Sequence, residues 1–170
     1  MNNNEVLILH GSPGSGKTTL ADAISEILRE AKTPHAVIDL DELSRVFPEQ
    51  DKKGSFSRRN LKAIWPNFAS IPELKLIIPT VIVDKDVLSQ LQDAVPAGKF
   101  MICELIAPKD VLVERVTARE PNDYWKKRLA NFVDIYQKRN EDQKFGDFHV
   151  DTHGKSVTTT AQEVIVKAGW

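Results

Sequence analysis

A chain of 170 residues with 41% hydrophobic content can bury one continuous core, and it reads as a single domain over 1–170. Its 23 basic and 24 acidic residues leave a net charge of −1, with no like-charge run long enough for a nucleic-acid arm or an acidic tail. Met1-Asn2-Asn3-Asn4 lacks the basic and apolar regions of a signal peptide, and no apolar stretch reaches membrane-spanning length, so a cytoplasmic protein without a membrane or nucleic-acid partner is expected.

The first strand is expected over 5–9, carried by Val6-Leu7-Ile8-Leu9. It runs into Gly11-Ser12-Pro13-Gly14-Ser15-Gly16-Lys17-Thr18, and then into a helix with Leu20, Ala23, Ile24, Ile27, Leu28 and Ala31 on one stripe. Strand, glycine-rich turn and helix in that order are the context of a phosphate-binding loop. The glycines let successive N–H groups turn inward on an anion, and the helix opening at Gly16 adds its positive end. Lys17 supplies a full charge for β- and γ-phosphates, the Thr18 hydroxyl is a ligand type for Mg²⁺, and Thr19 is grouped with the nucleotide-binding residues.

Thr33-Pro34 stops that helix. A short strand at 36–38 follows, then Asp39-Leu40-Asp41 and a short helix from Glu42 through Phe47. Residues 48–57 read as a polar surface loop. A helix from about Asn60 carries Leu61, Ile64, Trp65 and Phe68, and Pro66 must kink or interrupt it. The third strand spans 76–83, with its ladder expected in the half beyond Pro79. Val87, Leu88 and Leu91 mark the next helix, and 100–105 is strand four, whose apolar run makes Cys103 a core residue. Val111, Leu112 and Val116 define a helix ending at Pro121; 124–141 is amphipathic, with Trp125, Leu129, Phe132, Val133 and Tyr136 on one face. A short fifth strand at 148–150 and a last helix over 157–168 complete an α/β fold: a five-stranded parallel sheet flanked by helices, with a short lid at about 119–128.

Ligands of open α/β sheets sit at the carboxyl ends of strands. Asp39 and Asp41 occupy such a place after strand two, and Asp84 after strand three. Two carboxylates two residues apart on extended chain face one side. Such a pair suits phosphoryl transfer, one carboxylate near the metal and the other accepting the proton of an attacking hydroxyl. Asp84 has the form of an acidic residue that orders the Mg²⁺ shell through water. For Asp41 and Asp84 alike, the competing reading is a helix cap.

With these residues the chain resembles the small P-loop kinases: adenylate kinase, shikimate kinase, gluconate kinase and chloramphenicol phosphotransferase. Asp39-Leu40-Asp41 matches the Asp-x-Asp spacing of shikimate kinase, which implies one carboxylate near the metal and one on the substrate hydroxyl. Leu112-Val113-Glu114-Arg115-Val116-Thr117-Ala118-Arg119 is similar to the Leu-x-x-Arg-x-x-x-Arg that leads into the lid of these enzymes. By that resemblance Arg115 covers the adenine ring and Arg119 clamps the transferring phosphate. A solvated basic face paired with Glu114 or Glu120 is the alternative. Beyond the lid, Arg128 either approaches phosphate or belongs to a charged outer helix face. The segment Asp151-Thr152-His153-Gly154-Lys155 corresponds in position to the one that cradles adenine. His149 and His153 stand roughly 13 Å apart on a strand, too far to share one ion, and His10 reads as a packed polar side chain rather than a catalyst.

The resemblance implies an ATP- and Mg²⁺-dependent kinase that phosphorylates a hydroxyl of a small molecule. The alternatives are a nucleotide-binding ATPase or regulatory protein without that activity, and a polynucleotide-type kinase. A GTPase switch lacks its Asn-Lys-x-Asp element here, and Asp51-Lys52-Lys53-Gly54 follows no expected strand. The acceptor is expected between Asp41, residues 46–60 and the helix beyond, where Arg58 and Arg59 suit an anion and Trp65 and Phe68 suit an apolar ring. Its identity, and the choice between monomer and homodimer, stay open at this point.

Overall fold

The computed structural model describes residues 3–50, 55–96 and 98–170. Five strands alternate with seven helices: β1 Glu5–Gly11, α1 Lys17–Glu30, β2 His35–Val37, α2 Leu40–Leu43, α3 Ser55–Ala69, β3 Lys75–Thr80, α4 Lys85–Ala94, β4 Lys99–Ile106, α5 Lys109–Arg119, α6 Asp123–Asp142, β5 Phe148–Asp151 and α7 Val157–Ala168. The strands form one sheet in the order β2-β3-β1-β4-β5, every pairing parallel. No helix among the described residues is long and apolar enough to cross a membrane.

β1 lies at the centre, so Val6, Leu7, Ile8 and Leu9 are all fully buried. Alternation along the strand splits the core into two. Val6 and Ile8 pack with Leu61 and Trp65 of α3 and Leu91 of α4. Leu7 and Leu9 pack with Leu20 and Ile24 of α1 and Ala161 and Val164 of α7. A strand buried on both faces has no polar positions to spare, which is why its sequence is an unbroken apolar run.

Several expected boundaries shift, each for a local reason. The β3 ladder runs from Lys75 to Thr80, so it lies mostly before Pro79 and passes through it by one residue, and it does not occupy the half beyond. Lys75 N–H donates to Pro34 and Ile77 C=O accepts from Ile38, so odd-numbered residues turn their backbone polar groups toward β2. β2 ends at Val37, opposite Ile77, so the missing N–H of Pro79 faces a side with no strand left to bond. α2 is a single turn from Leu40, capped by Asp39 rather than by Asp41. α3 opens at Ser55, earlier than Asn60, and continues through Pro66 to Ala69. Trp65, buried in the core and donating Nε1–H to Pro96 C=O at 3.3 Å, holds that stretch from outside the helix. The Asp51–Gly54 stretch lies outside the described residues. On α6 only part of the expected apolar face is covered: Val133 and Tyr136 are buried, whereas Trp125 and Phe132 are exposed.

Candidate functional site

The phosphate loop is shaped by two left-handed glycines, Gly14 at φ 80° and Gly16 at φ 88°. A Cβ on Gly14 would stand 2.6 Å from the Leu112 carbonyl oxygen, so the loop is pressed backbone to backbone against α5. Ser15 N–H donates to Ser12 C=O at 3.2 Å and closes the turn. Gly16 is the N-cap of α1, with no side-chain cap and no acidic residue in the first turn, which leaves the helix's first amides to an outside acceptor. The hydroxyls of Ser12 and Ser15 are buried without a hydrogen-bond partner among the described residues. Buried hydroxyl donors beside a bare helix N-terminus are what an anion-binding loop presents.

Lys17 completes this cradle from within. Its ammonium donates to the carbonyls of Gly11 and Ser12, both at 2.9 Å. Burial depresses its pKa to about 8; Asp41 and Asp39 oppose that fall, and Arg119 adds to it. The ammonium is therefore held on weak neutral acceptors in a place that disfavours its charge. An approaching polyphosphate is a better partner.

Two cavities open on the loop. One, of about 340 Å³, is lined by Lys17, Thr18 and Thr19 on one side and by Asp39, Asp41, Thr80, Val81, Arg119 and Leu129 on the others. The other, of about 260 Å³, lies between the far side of the loop and α7, bounded by Arg115, Thr152, Lys155 and Thr160. Arg115 forks across its base, donating to Gly14 C=O at 3.3 Å, Thr152 Oγ1 at 3.0 Å and Thr152 C=O at 2.9 Å. That places a planar cation on a segment reaching from α5 to the loop after β5.

The sequence-predicted residues divide accordingly. Pro13, Gly14, Gly16, Lys17, Thr18, Thr19, Asp39, Asp41 and Arg119 converge on the larger cavity. Asp39 Oδ1 accepts Asp41 N–H at 2.9 Å, which commits one carboxylate oxygen to the cap of α2. The Asp41 carboxylate has no such engagement with the backbone of the described residues. Partial burial of its carboxyl and the charge of Asp39 push its pKa up, against the pull of Lys17. Arg119 is paired with Glu120 at 3.1 Å at the cavity's rim. Asp84 is not brought in: β3 ends four residues earlier, and its Oδ1 caps α4 by accepting Val87 N–H at 2.8 Å. Arg58 donates to Gln90, Arg59 stacks over Phe56, and Arg128 stacks over Trp125 and donates to Tyr124; none of the three lines the cavity.

Sequence reasoning missed a buried polar group just behind the loop. His10 Nδ1 accepts Ile82 N–H at 3.0 Å, its Nε2 meets the Tyr136 hydroxyl at 3.0 Å, and that hydroxyl donates to Glu104 at 3.1 Å. Asn140 donates to the same Glu104 oxygen. Burial, with Lys17 and Arg139 nearby, depresses the His10 pKa to about 4, so the ring is neutral at physiological pH. The signal was a lone glutamate inside the apolar run Met101-Ile102-Cys103-Glu104-Leu105, a charge where none is expected.

With this geometry in hand, similarity to known proteins can be weighed. The AAA domain family matches residues 6–139, and the chain belongs to that family. No curated protein sequence matches it significantly. Among solved structures, the tunicamycin resistance protein of Deinococcus radiodurans is 20% identical, with a TM-score of 0.69 over 98% of this chain and 96% of that one. An APS kinase of Mycobacterium tuberculosis, in complex with AMPPNP and APS, is 18% identical with a TM-score of 0.68 over the full length of both. A gluconokinase of Sinorhizobium meliloti 1021 is 19% identical with a TM-score of 0.63, covering 99% and 94%. At these identities the likeness is one of fold: that of the small P-loop kinases, a five-stranded parallel sheet flanked by helices.

Proposed function

We propose that this chain is an ATP-dependent phosphotransferase that moves the γ-phosphoryl group to a hydroxyl of a small molecule. The observation that carries the proposal is the larger cavity, where Lys17, Thr18 and Thr19 stand across from Asp39 and Asp41 with Arg119 at the rim. A nucleotide triphosphate fits the chain's own features: unsatisfied Ser12 and Ser15 hydroxyls, uncapped α1 amides and a lysine held on neutral carbonyls. The smaller cavity suits the base, with Arg115 as a planar face beneath it.

In this reading Lys17 leaves the Gly11 and Ser12 carbonyls for the β- and γ-phosphates, and Arg119 exchanges Glu120 for phosphate oxygens. The acceptor lies against Thr80, Val81 and Leu129 with its hydroxyl toward Asp41. Asp41 accepts the hydroxyl proton, because Asp39 already spends an oxygen on the helix cap. The acceptor oxygen then forms a bond to the γ-phosphorus as the bond to the β–γ bridging oxygen breaks, and ADP leaves. No three His, Cys, Asp or Glu side chains of the described residues form a metal cluster. Thr18 and Asp39, on opposite sides of the larger cavity, would hold Mg²⁺, which would supply charge neutralisation there. Catalysis is positioning plus electrostatics, since the reacting groups need no covalent help.

The test is acceptor-stimulated ADP release, screened over nucleosides, sugar acids, shikimate-like acids and antibiotics. Asp41→Asn should retain AMPPNP binding and lose turnover by about 10²-fold or more, the usual contribution of a general base. Unchanged turnover in that variant would remove Asp41 from the base role, and failure to bind AMPPNP would end the kinase reading.

A further inference from the structure

The buried group behind the phosphate loop has an order that permits only one direction of donation. Ile82 N–H is a donor, so His10 Nδ1 is the bare nitrogen and Nε2 carries the ring proton. That proton goes to the Tyr136 oxygen, whose own proton goes to Glu104, and Asn140 fills a second site on the same carboxylate oxygen. Every donor is committed. His10 is 1% exposed, Glu104 6% and Tyr136 5%, so none of these partners can be exchanged for water without opening the core.

What the chain joins is the cleft itself. His10 directly precedes Gly11, whose carbonyl holds Lys17. Ile82 follows Val81, which lines the cleft beside Thr80. Tyr136 lies seven residues beyond Leu129 on α6, about 10 Å along the helix, and Leu129 is the α6 residue on the cleft wall. The helix packs along α5. At its start Tyr124 is 60% and Trp125 46% exposed, and Val133 and Tyr136 are its buried hydrophobic residues. The ring of Phe145 meets His10 edge-on, and Tyr136 is tilted against it at 5.4 Å, so the imidazole is also held laterally.

We infer that Tyr136 is a positioning residue: through His10 and Glu104 it ties α6 to the strand that enters the phosphate loop, so that Leu129 and the lid-side half of the helix take their place over the cleft when nucleotide binds. The inference rests on the phosphotransferase reading above. Nucleotide draws the Lys17 ammonium off the Gly11 and Ser12 carbonyls, and the backbone released is the one His10 adjoins. The bond chain carries that change to the middle of α6, because a rigid, fully partnered group moves as a unit.

The experiment compares wild type with Tyr136→Phe, which keeps the ring and deletes the hydroxyl. Hydrogen exchange over α6 is measured with and without AMPPNP and Mg²⁺, alongside AMPPNP affinity and ATP turnover. Wild type is expected to slow exchange across residues 129–140 on nucleotide binding. Tyr136→Phe should bind AMPPNP with unchanged affinity, lose that slowing, and turn over about tenfold more slowly, a coupling of ordinary size. A purely structural hydroxyl would instead speed α6 exchange equally in both states and leave the nucleotide-dependent difference intact, which overturns the inference. His10→Asn, whose side-chain oxygen can replace Nδ1 toward Ile82 while dropping the link to Tyr136, should uncouple in the same way and serves if Tyr136→Phe does not fold. If wild type itself fails to bind AMPPNP, it is the nucleotide reading that falls.

Discussion

Lys17 should make nucleotide binding depend on pH in a range where ATP-binding sites are ordinarily flat. Its pKa is lowered from 10.5 to about 8 in the nucleotide-free protein, a difference worth about 3 kcal/mol. The folded-state value lies below the unfolded one, so below pH 8 the buried ammonium opposes folding; the nucleotide-free protein gains stability as pH rises from 8 to 10.5. Polyphosphate binding removes that cost by giving the ammonium anionic partners, which return its pKa upward. AMPPNP must therefore find Lys17 charged. At pH 7 about nine-tenths of molecules qualify and at pH 9 about one-tenth, so affinity should fall about tenfold between them. Isothermal titration with AMPPNP and Mg²⁺ in buffers of different ionisation enthalpy reads both quantities: the weakening, and an uptake of nearly one proton per site at pH 9. Lys17→Met should bind weakly and without the slope. A wild-type affinity that is level from pH 7 to 9 with no proton uptake would refute the reasoning.

Four further substitutions separate local from long-range roles. Gly14→Ala adds a Cβ at φ 80° and 2.6 Å from the Leu112 oxygen, whereas Gly16→Ala adds one at φ 88° into open space; both pay strain of about 1–3 kcal/mol, but only the first should also displace α5, seen as a larger drop in melting temperature and AMPPNP affinity. Arg115→Lys cannot reproduce the fork to Gly14 and Thr152, so KM for ATP should rise about tenfold with kcat little changed in steady-state assays. Asp84→Ala removes the cap on Val87 N–H and should lower stability to urea by about 1 kcal/mol with the Mg²⁺ dependence of turnover unaltered; a shifted Mg²⁺ requirement would return Asp84 to the metal shell.

The local features were legible before the fold. Gly11 to Thr18 is a contiguous stretch whose conformation follows from the dihedral freedom of its glycines, and the apolar run before it announces a strand buried on both faces. Helix stripes behave likewise, since a period of 3.6 is written in neighbouring residues. Asp39 and Asp41 both line the cleft, but not by the two-residue alternation of extended chain: Asp41 lies within the turn of α2 that Asp39 caps. Long-range placement is different in kind. Whether Pro79 interrupts a ladder depends on β2 ending at Val37, more than forty residues away in sequence, and whether Asp84 reaches the cleft depends on where β3 stops pairing with β1. Arg58 and Arg59 carry the charge an anionic acceptor would want, yet packing of α3 against α4 gives Arg58 to Gln90, while Arg59 lies over Phe56 one turn back on its own helix. His10, Glu104 and Tyr136 meet only because the sheet order sets β4 beside β1 and lays α6 across them. A sequence specifies the conformations its neighbouring residues can adopt; which distant groups end up sharing a dry interior is decided by the packing that burial of the whole chain enforces.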